Sequence, residues 1–257
     1  MIRALILLLA LAGSAVLSSP VLAEEALVTG LSQNRVQITA NFDGSEILIY
    51  GAVKRNAPAP KGPPLEVIVT VEGPSTGLII RRKERVAGIW LNRSAVTVDA
   101  APSFYAVATT DKLDKILSGT EDLRHHITIP QVIRAVGISD EAENAPDFIE
   151  ALQRIRLDES RYRIAERTVQ LADETLFRTD VALPANLTEG IYKVRLFILR
   201  GGAVLDAQER LIAVRKTGLE RFLFNLAHEQ PLLYGVLSLV LAAVAGWGAS
   251  AVFRFIR

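Results

Sequence analysis

Residues 231–253 (PLLYGVLSLVLAAVAGWGASAVF) are 23 consecutive positions without a charged side chain. A helix rising 1.5 Å per residue crosses a hydrocarbon layer of about 30 Å over that length, with some tilt. Whatever the rest of the chain folds into, this stretch is expected to enter a bilayer as a transmembrane helix. Tyr234 near its start, and Trp247, Phe253 and Phe255 near its end, mark the two interfaces. Glu229 precedes the stretch and Arg254 and Arg257 follow it. That bias puts the tail, residues 254–257, in the cytoplasm and the N-terminal body on the opposite side.

The other end predicts the same orientation. Residues 1–23 carry one early positive charge, Arg3, then an apolar run over 4–17, then Ser18-Ser19-Pro20 and Val21-Leu22-Ala23. This is the layout of a secretory signal cleaved after Ala23, which leaves Glu24 first. An uncleaved anchor is the alternative, but the apolar run is short for a span. The body to be folded is then residues 24–216, a length that supports a packed core without covalent staples.

Charge and composition exclude several function classes. The chain has 29 basic and 28 acidic residues, and setting aside Arg3, Arg254 and Arg257 leaves the body near neutral. A nucleic-acid partner is therefore not expected, because nothing supplies the basic excess that phosphates demand. With no cysteine, and no methionine beyond Met1, thiolate, iron–sulfur and thioether-copper sites are ruled out. No cofactor and no metal site is expected.

The body reads as mainly β. In residues 35–42 (RVQITANF) Val36, Ile38, Ala40 and Phe42 alternate with polar neighbours; Asp43-Gly44 follows, then a second run over 46–54, which together predict a hairpin. Residues 57–64 (APAPKGPP) are a loop. Short runs rich in Val, Ile and Thr over 65–72, 77–83, 87–91, 95–99 and 104–109 predict further strands. Helical spacing takes over at 111–118, 129–138 and 145–163; in the last, Pro146 suits the first turn and Phe148, Leu152, Ile155 and Leu157 make the apolar stripe. Strands resume at 174–183, 191–200 and 203–215, the last two joined by Gly201-Gly202. The expected architecture is an Ig-like antiparallel β-sandwich with a helical insertion over about residues 110–164. Two small β domains flanking a helical linker are the alternative. Residues 217–230 place Leu219, Phe222, Leu223 and Leu226 at helical spacing, which predicts an interfacial helix leading into the span or, failing that, a plain linker.

Several local landmarks, Asn41-Phe42-Asp43-Gly44 with Tyr50-Gly51, Trp90-Leu91-Asn92, Pro102-Ser103-Phe104-Tyr105, Leu183-Pro184-Ala185-Asn186 with Gly190-Ile191-Tyr192, and Tyr234-Gly235 with Gly246-Trp247, resemble those of an uncharacterised family of transmembrane proteins from alphaproteobacteria. The resemblance covers almost the whole chain after the signal. It implies a Gram-negative periplasm for the body, genes of sulfite-exporter-type permeases as neighbours, and an accessory role. It brings no catalytic residues with it.

Candidate chemistry is sparse. His125 and His126 are adjacent, so their rings diverge on either a helix or a strand, and packing is the expected role. Asp140, Glu141 and Glu143 precede a predicted helix, where negative charge is stabilised by the helix dipole, so capping is expected rather than acid–base work. No nucleophile elbow, zincin or phosphate-loop spacing occurs. The densest basic run, Arg81, Arg82, Lys83 and Arg85 with Arg93 nearby, offers guanidinium forks for an oxyanion, although such charges also protect a strand edge. In the span, Ser238, Ala242, Gly246 and Ser250 recur every four residues and form a stripe of small side chains against which a partner helix can pack closely. The functional expectation is a non-enzymatic, membrane-anchored accessory protein beside an integral membrane partner, possessing an anion-permease connection through the resemblance. A membrane-tethered enzyme or anion-binding module, with its site assembled from dispersed residues, is the alternative.

Overall fold

The computed structural model describes residues 25–38, 42–58, 60, 62–136, 144–216 and 219–255. The predicted signal (1–23), the acidic trio Asp140, Glu141 and Glu143, and Arg257 lie outside the described residues.

Twelve strands are described: β1 (Glu25–Leu31), β2 (Arg35–Ile38), β3 (Ser45–Arg55), β4 (Leu65–Glu72), β5 (Ser75–Val86), β6 (Ile89–Pro102), β7 (Tyr105–Thr109), β8 (Tyr162–Ala165), β9 (Gln170–Ala172), β10 (Leu176–Leu183), β11 (Gly190–Arg200) and β12 (Ala203–Lys216). Between β7 and β8 lie α1 (Leu113–Ile116), α2 (Gly119–His125), α3 (Ile129–Val132) and α4 (Ala145–Asp158), and the chain closes with α5 (Leu219–Glu229) and α6 (Pro231–Phe255). One sheet has the order β1-β3-β10-β9; a second has β2-β12-β11-β4-β7-β8; among the described strands β5 and β6 form a ladder only with each other, and Ala100 of β6 makes an isolated bridge to Arg134.

The two larger sheets form the expected sandwich. Leu27, Ile47, Ile49, Phe177 and Val181 of the first meet Val67, Val69, Val194, Leu196, Ile198 and Ile212 of the second in one buried cluster. The six-stranded sheet is covered on its other face as well. Ile68, Tyr105, Val107, Phe197 and Leu199 point that way into a second cluster with Leu113, Ile116, Ile127, Ile129 and Leu152 of the helical segment. A strand buried on both faces needs no polar alternation, which is why β4 (LEVIVTVE) reads as a near-continuous apolar run.

A tyrosine corner ties the sandwich together: the Tyr192 hydroxyl, buried at the start of β11, donates to the Thr188 carbonyl at 2.9 Å. That back-bond is a hallmark of Ig-type sandwiches. The β11–β12 hairpin turns through Gly201 and Gly202 with φ of 59° and 84°, the doubly positive turn that matches strand twist.

The structure also corrects local readings. The runs on either side of Asp43-Gly44 do not pair as a hairpin. β3 instead lies between β1 and β10, while β2 joins the other sheet, parallel to β12 with Val36 opposite Val214. Val36 is buried in the first core, so tertiary burial outweighs the local turn signal. β8 likewise runs parallel to β7, so parallel pairs lie at both edges of a mostly antiparallel sheet. Helix α4 buries Phe148 and Leu152, but Ile155 and Leu157, assigned to the same stripe, are exposed. α5 and α6 follow one another through Gln230, whose N–H donates to the Leu226 carbonyl while its own carbonyl accepts from the Tyr234 N–H.

Candidate functional site

The second face of the six-stranded sheet holds a concavity of about 670 Å³. Its floor is Glu72, Lys193 and Arg195, with Lys193 directly opposite Glu72 in the β4–β11 ladder. Its walls are His126, the segment 131–135 including Arg134, and Ser75 and Ala100 at the root of the β5–β6 hairpin. Three basic side chains and one acidic one thus line the concavity.

Arg195 is the fixed point. Its Nη1 donates to the His125 carbonyl at 2.6 Å, and its Nη2 donates to the His126 carbonyl at 2.9 Å and to the Tyr105 hydroxyl at 3.2 Å. Its guanidinium carbon sits 5.5 Å from the centre of the Phe197 ring, within cation–π range. Its Nε is buried and has no hydrogen-bond partner among the described residues. Tyr105 in turn donates to the Ile127 carbonyl at 2.7 Å, and burial pushes its hydroxyl up to about 12 even with the Arg195 charge opposing, so it stays protonated as a donor. The wall is held by Asp122, whose carboxylate accepts from the N–H groups of Ile127 (3.1 Å) and Thr128 (2.8 Å) and from the Thr128 hydroxyl (2.7 Å). His126 completes that turn with φ of 49°.

Adjacent histidines diverge as their sequence position dictates. His125 lies 3.3 Å from Glu121 and meets the Phe197 ring edge-on at 5.5 Å, whereas His126 faces the concavity.

The basic run lies on the β5–β6 hairpin. Arg81 and Arg82 stand at its base, beside a groove shared with Asp147, Glu150 and Arg154 of α4. Arg82 is 3.8 Å from Glu84. Arg85 is opposite Trp90 near the tip, and Arg93 is the extra residue of a bulge between the Lys83–Asn92 and Arg82–Ser94 pairs. The four arginines are therefore strung along an arm and do not converge on one point.

Ser238, Ala242, Gly246 and Ser250 all lie on α6 and are exposed. The Ser238 hydroxyl donates to the Tyr234 carbonyl at 2.9 Å, so its polarity is absorbed within the helix. A methyl group added at Gly235, Gly246 or Gly248 would meet nothing within 4 Å.

The concavity is not legible in the sequence, because its residues lie on separate elements and meet only in the fold. The available signal was one arginine inside an otherwise apolar run, V-R-L-F-I-L, on a strand that must be covered on both faces.

A β-sandwich body and, among the described residues, one helix, Pro231–Ser250, long and apolar enough to cross a membrane, define a β-rich protein with a candidate C-terminal span. The chain belongs to the family described as "Putative transmembrane protein (Alph_Pro_TM)", whose model matches residues 26–255. Neither curated proteins nor solved structures give a match.

Proposed function

We propose that this chain is a membrane-anchored accessory protein whose sandwich stands on the periplasmic side and whose α6 packs against an integral membrane partner, an anion permease in the leading case. The observation that carries this reading is α6 itself: none of its spanning window is buried by the body, while its small residues fall on one stripe. In lipid, helices associate by close van der Waals contact, which such a stripe permits. The positive charge of Arg254 supports a cytoplasmic C-terminus. The test is purification in mild detergent. The wild-type chain is expected to retain a membrane partner that an Ala242→Leu/Gly246→Leu variant loses; retention by the variant at wild-type yield would sink packing through this stripe.

An anion-binding role for the body is the second reading, and the floor of the concavity favours it. Lys193, Arg134 and Arg195 supply positive charge, and the Arg195 Nε has no partner among the described residues. Sulfite, sulfate and phosphate are the probes. A ligand at ten times its dissociation constant stabilises by about 1.4 kcal/mol, which raises the melting temperature of a domain this size by about 3–6 °C. The shift is expected in the wild type and absent from Lys193→Gln/Arg134→Gln, which leaves the structural Arg195 in place. Equal shifts in both proteins would move the anion elsewhere.

A further inference from the structure

We infer that the β5–β6 hairpin is a second membrane contact, whose tip enters the headgroup–acyl boundary of an anionic bilayer. This goes beyond partner packing and rests only on the chain being tethered by α6. The hairpin's inner half is part of the body, with Val96 and Val98 fully buried. Its outer half, from Arg81 through Arg93, contains no buried residue and, among the described residues, pairs with no third strand. At about 3.3 Å per residue the arm extends about 20 Å past its base. The chain reverses at the tip through Ala87 and Gly88, with φ of 49° and 87°, a tight turn matched to strand twist.

Three large apolar side chains sit just past that turn: Ile89, Trp90 and Leu91 are 60 %, 66 % and 45 % exposed. Register distributes them over both faces. Trp90 pairs with Arg85 on one face, and Ile89 and Leu91 pair with Val86 and Glu84 on the other. A protein groove reads one face of a ribbon, whereas a bilayer surrounds an inserted tip and accepts both. Behind the tip come Lys83, Arg85 and Arg93, and among the described residues no salt bridge reaches any of them. Tryptophan at the interface and long basic side chains reaching up to phosphates are the residue types that this depth selects. The same cations discourage another chain from adding a strand to the exposed edges.

Trp90 reports directly once Trp247, the other tryptophan, is removed. The full chain carrying Trp247→Phe is reconstituted into vesicles of phosphatidylglycerol with phosphatidylcholine, or of phosphatidylcholine alone, with lipids brominated at shallow acyl positions. In anionic vesicles Trp90 emission is expected to shift to shorter wavelength and to be quenched by the bromolipid. A basic residue near an anionic surface strengthens binding about five-fold, so Lys83→Gln/Arg85→Gln/Arg93→Gln weakens docking roughly a hundredfold and quenching drops to the level in phosphatidylcholine. All three changes lie outside both buried clusters, and unchanged thermal unfolding checks that the body is intact. Ile89→Ser/Leu91→Ser, which keeps the charges, is expected to lose the bromolipid quenching as well. Trp90 that is unquenched in anionic vesicles overturns the inference. So does quenching indifferent to the charge variant, and so does a Trp90 shielded from aqueous quencher only in native membranes, which would mark a protein partner.

Discussion

Replacing Phe197 by alanine is expected to destabilise the body by about 3–5 kcal/mol, a large share of the 5–15 kcal/mol that holds a typical domain. Phe197 is 2 % exposed and lies on β11, the strand flanked by β12 and β4 and covered on both faces. It points into the cluster that fastens the helical segment to the sheet. Its ring supports His125 edge-on and carries the Arg195 guanidinium on its face. Removing the ring therefore leaves a void beneath α2, and takes the apolar platform from under the residue that fixes the floor of the concavity. Melting of the full chain in detergent is expected to fall by about 10 °C, and any anion-dependent stabilisation is expected to fall with it. Ile191→Ala on the same strand, where the side chain is 50 % exposed, is the control and should stay within about 0.5 kcal/mol. A Phe197→Ala protein melting within two degrees of wild type would mean that the helical segment is not held to the sheet through this contact.

That sensitivity of one strand to both its faces also explains which parts of the fold were legible. Where a segment's environment is written locally, it could be read. Gly201-Gly202 specifies the β11–β12 turn by its positive dihedral angles, and the uncharged run beginning at Pro231 specifies α6 by length alone. Where environment depends on partners distant in sequence, it could not. Asp43-Gly44 between two apolar runs is a sound hairpin signal, yet β2 finds its partner at Ala213–Lys216, almost at the other end of the body. β8 and β9 are only four and three residues long and exist as strands because β7 and β10 are there to receive them. α2 is a different case, since its signal was present: Ser118-Gly119-Thr120-Glu121 has capping-box spacing, and the Ser118 hydroxyl does accept from the Glu121 N–H at 3.4 Å. The concavity joins residues from β4, β5, β6 and β11 with the residue that follows α2, the end of α3 and the segment after it, so no window of the sequence contains it. The basic run was visible as charge, but its division into a base beside α4 and a tip beside Trp90 required the strand register.

Glu25→Ala is expected to cost about 3 kcal/mol at neutral pH, with a pH dependence that separates charge from packing. The Glu25 side chain is 3 % exposed and receives Arg55 Nε at 2.6 Å and Arg200 Nη2 at 2.9 Å, from strands in the two different sheets. Removing the carboxylate leaves two largely buried guanidinium groups without their main counter-charge, the costly way to break a buried ion pair. Glu174, 3.5 Å from both arginines, retains part of the compensation and keeps the loss near the lower end of the range. Burial alone would raise the Glu25 carboxyl, but hydrogen bonds and charge from Arg200 and Arg55 outweigh it and hold the group below the ordinary carboxylate range. The sign follows: a carboxyl whose affinity for protons falls on folding adds stability that is complete above its unfolded value and is lost as pH drops through the lower folded value. The wild type is therefore expected to lose stability more steeply than Glu25→Gln as pH falls from about 5, and the gap between them should close in strong acid. Parallel melting curves for the two proteins across that window would show that Arg55 and Arg200 do not depend on the Glu25 charge. The Glu25 charge would then contribute nothing to joining the two sheets at this corner.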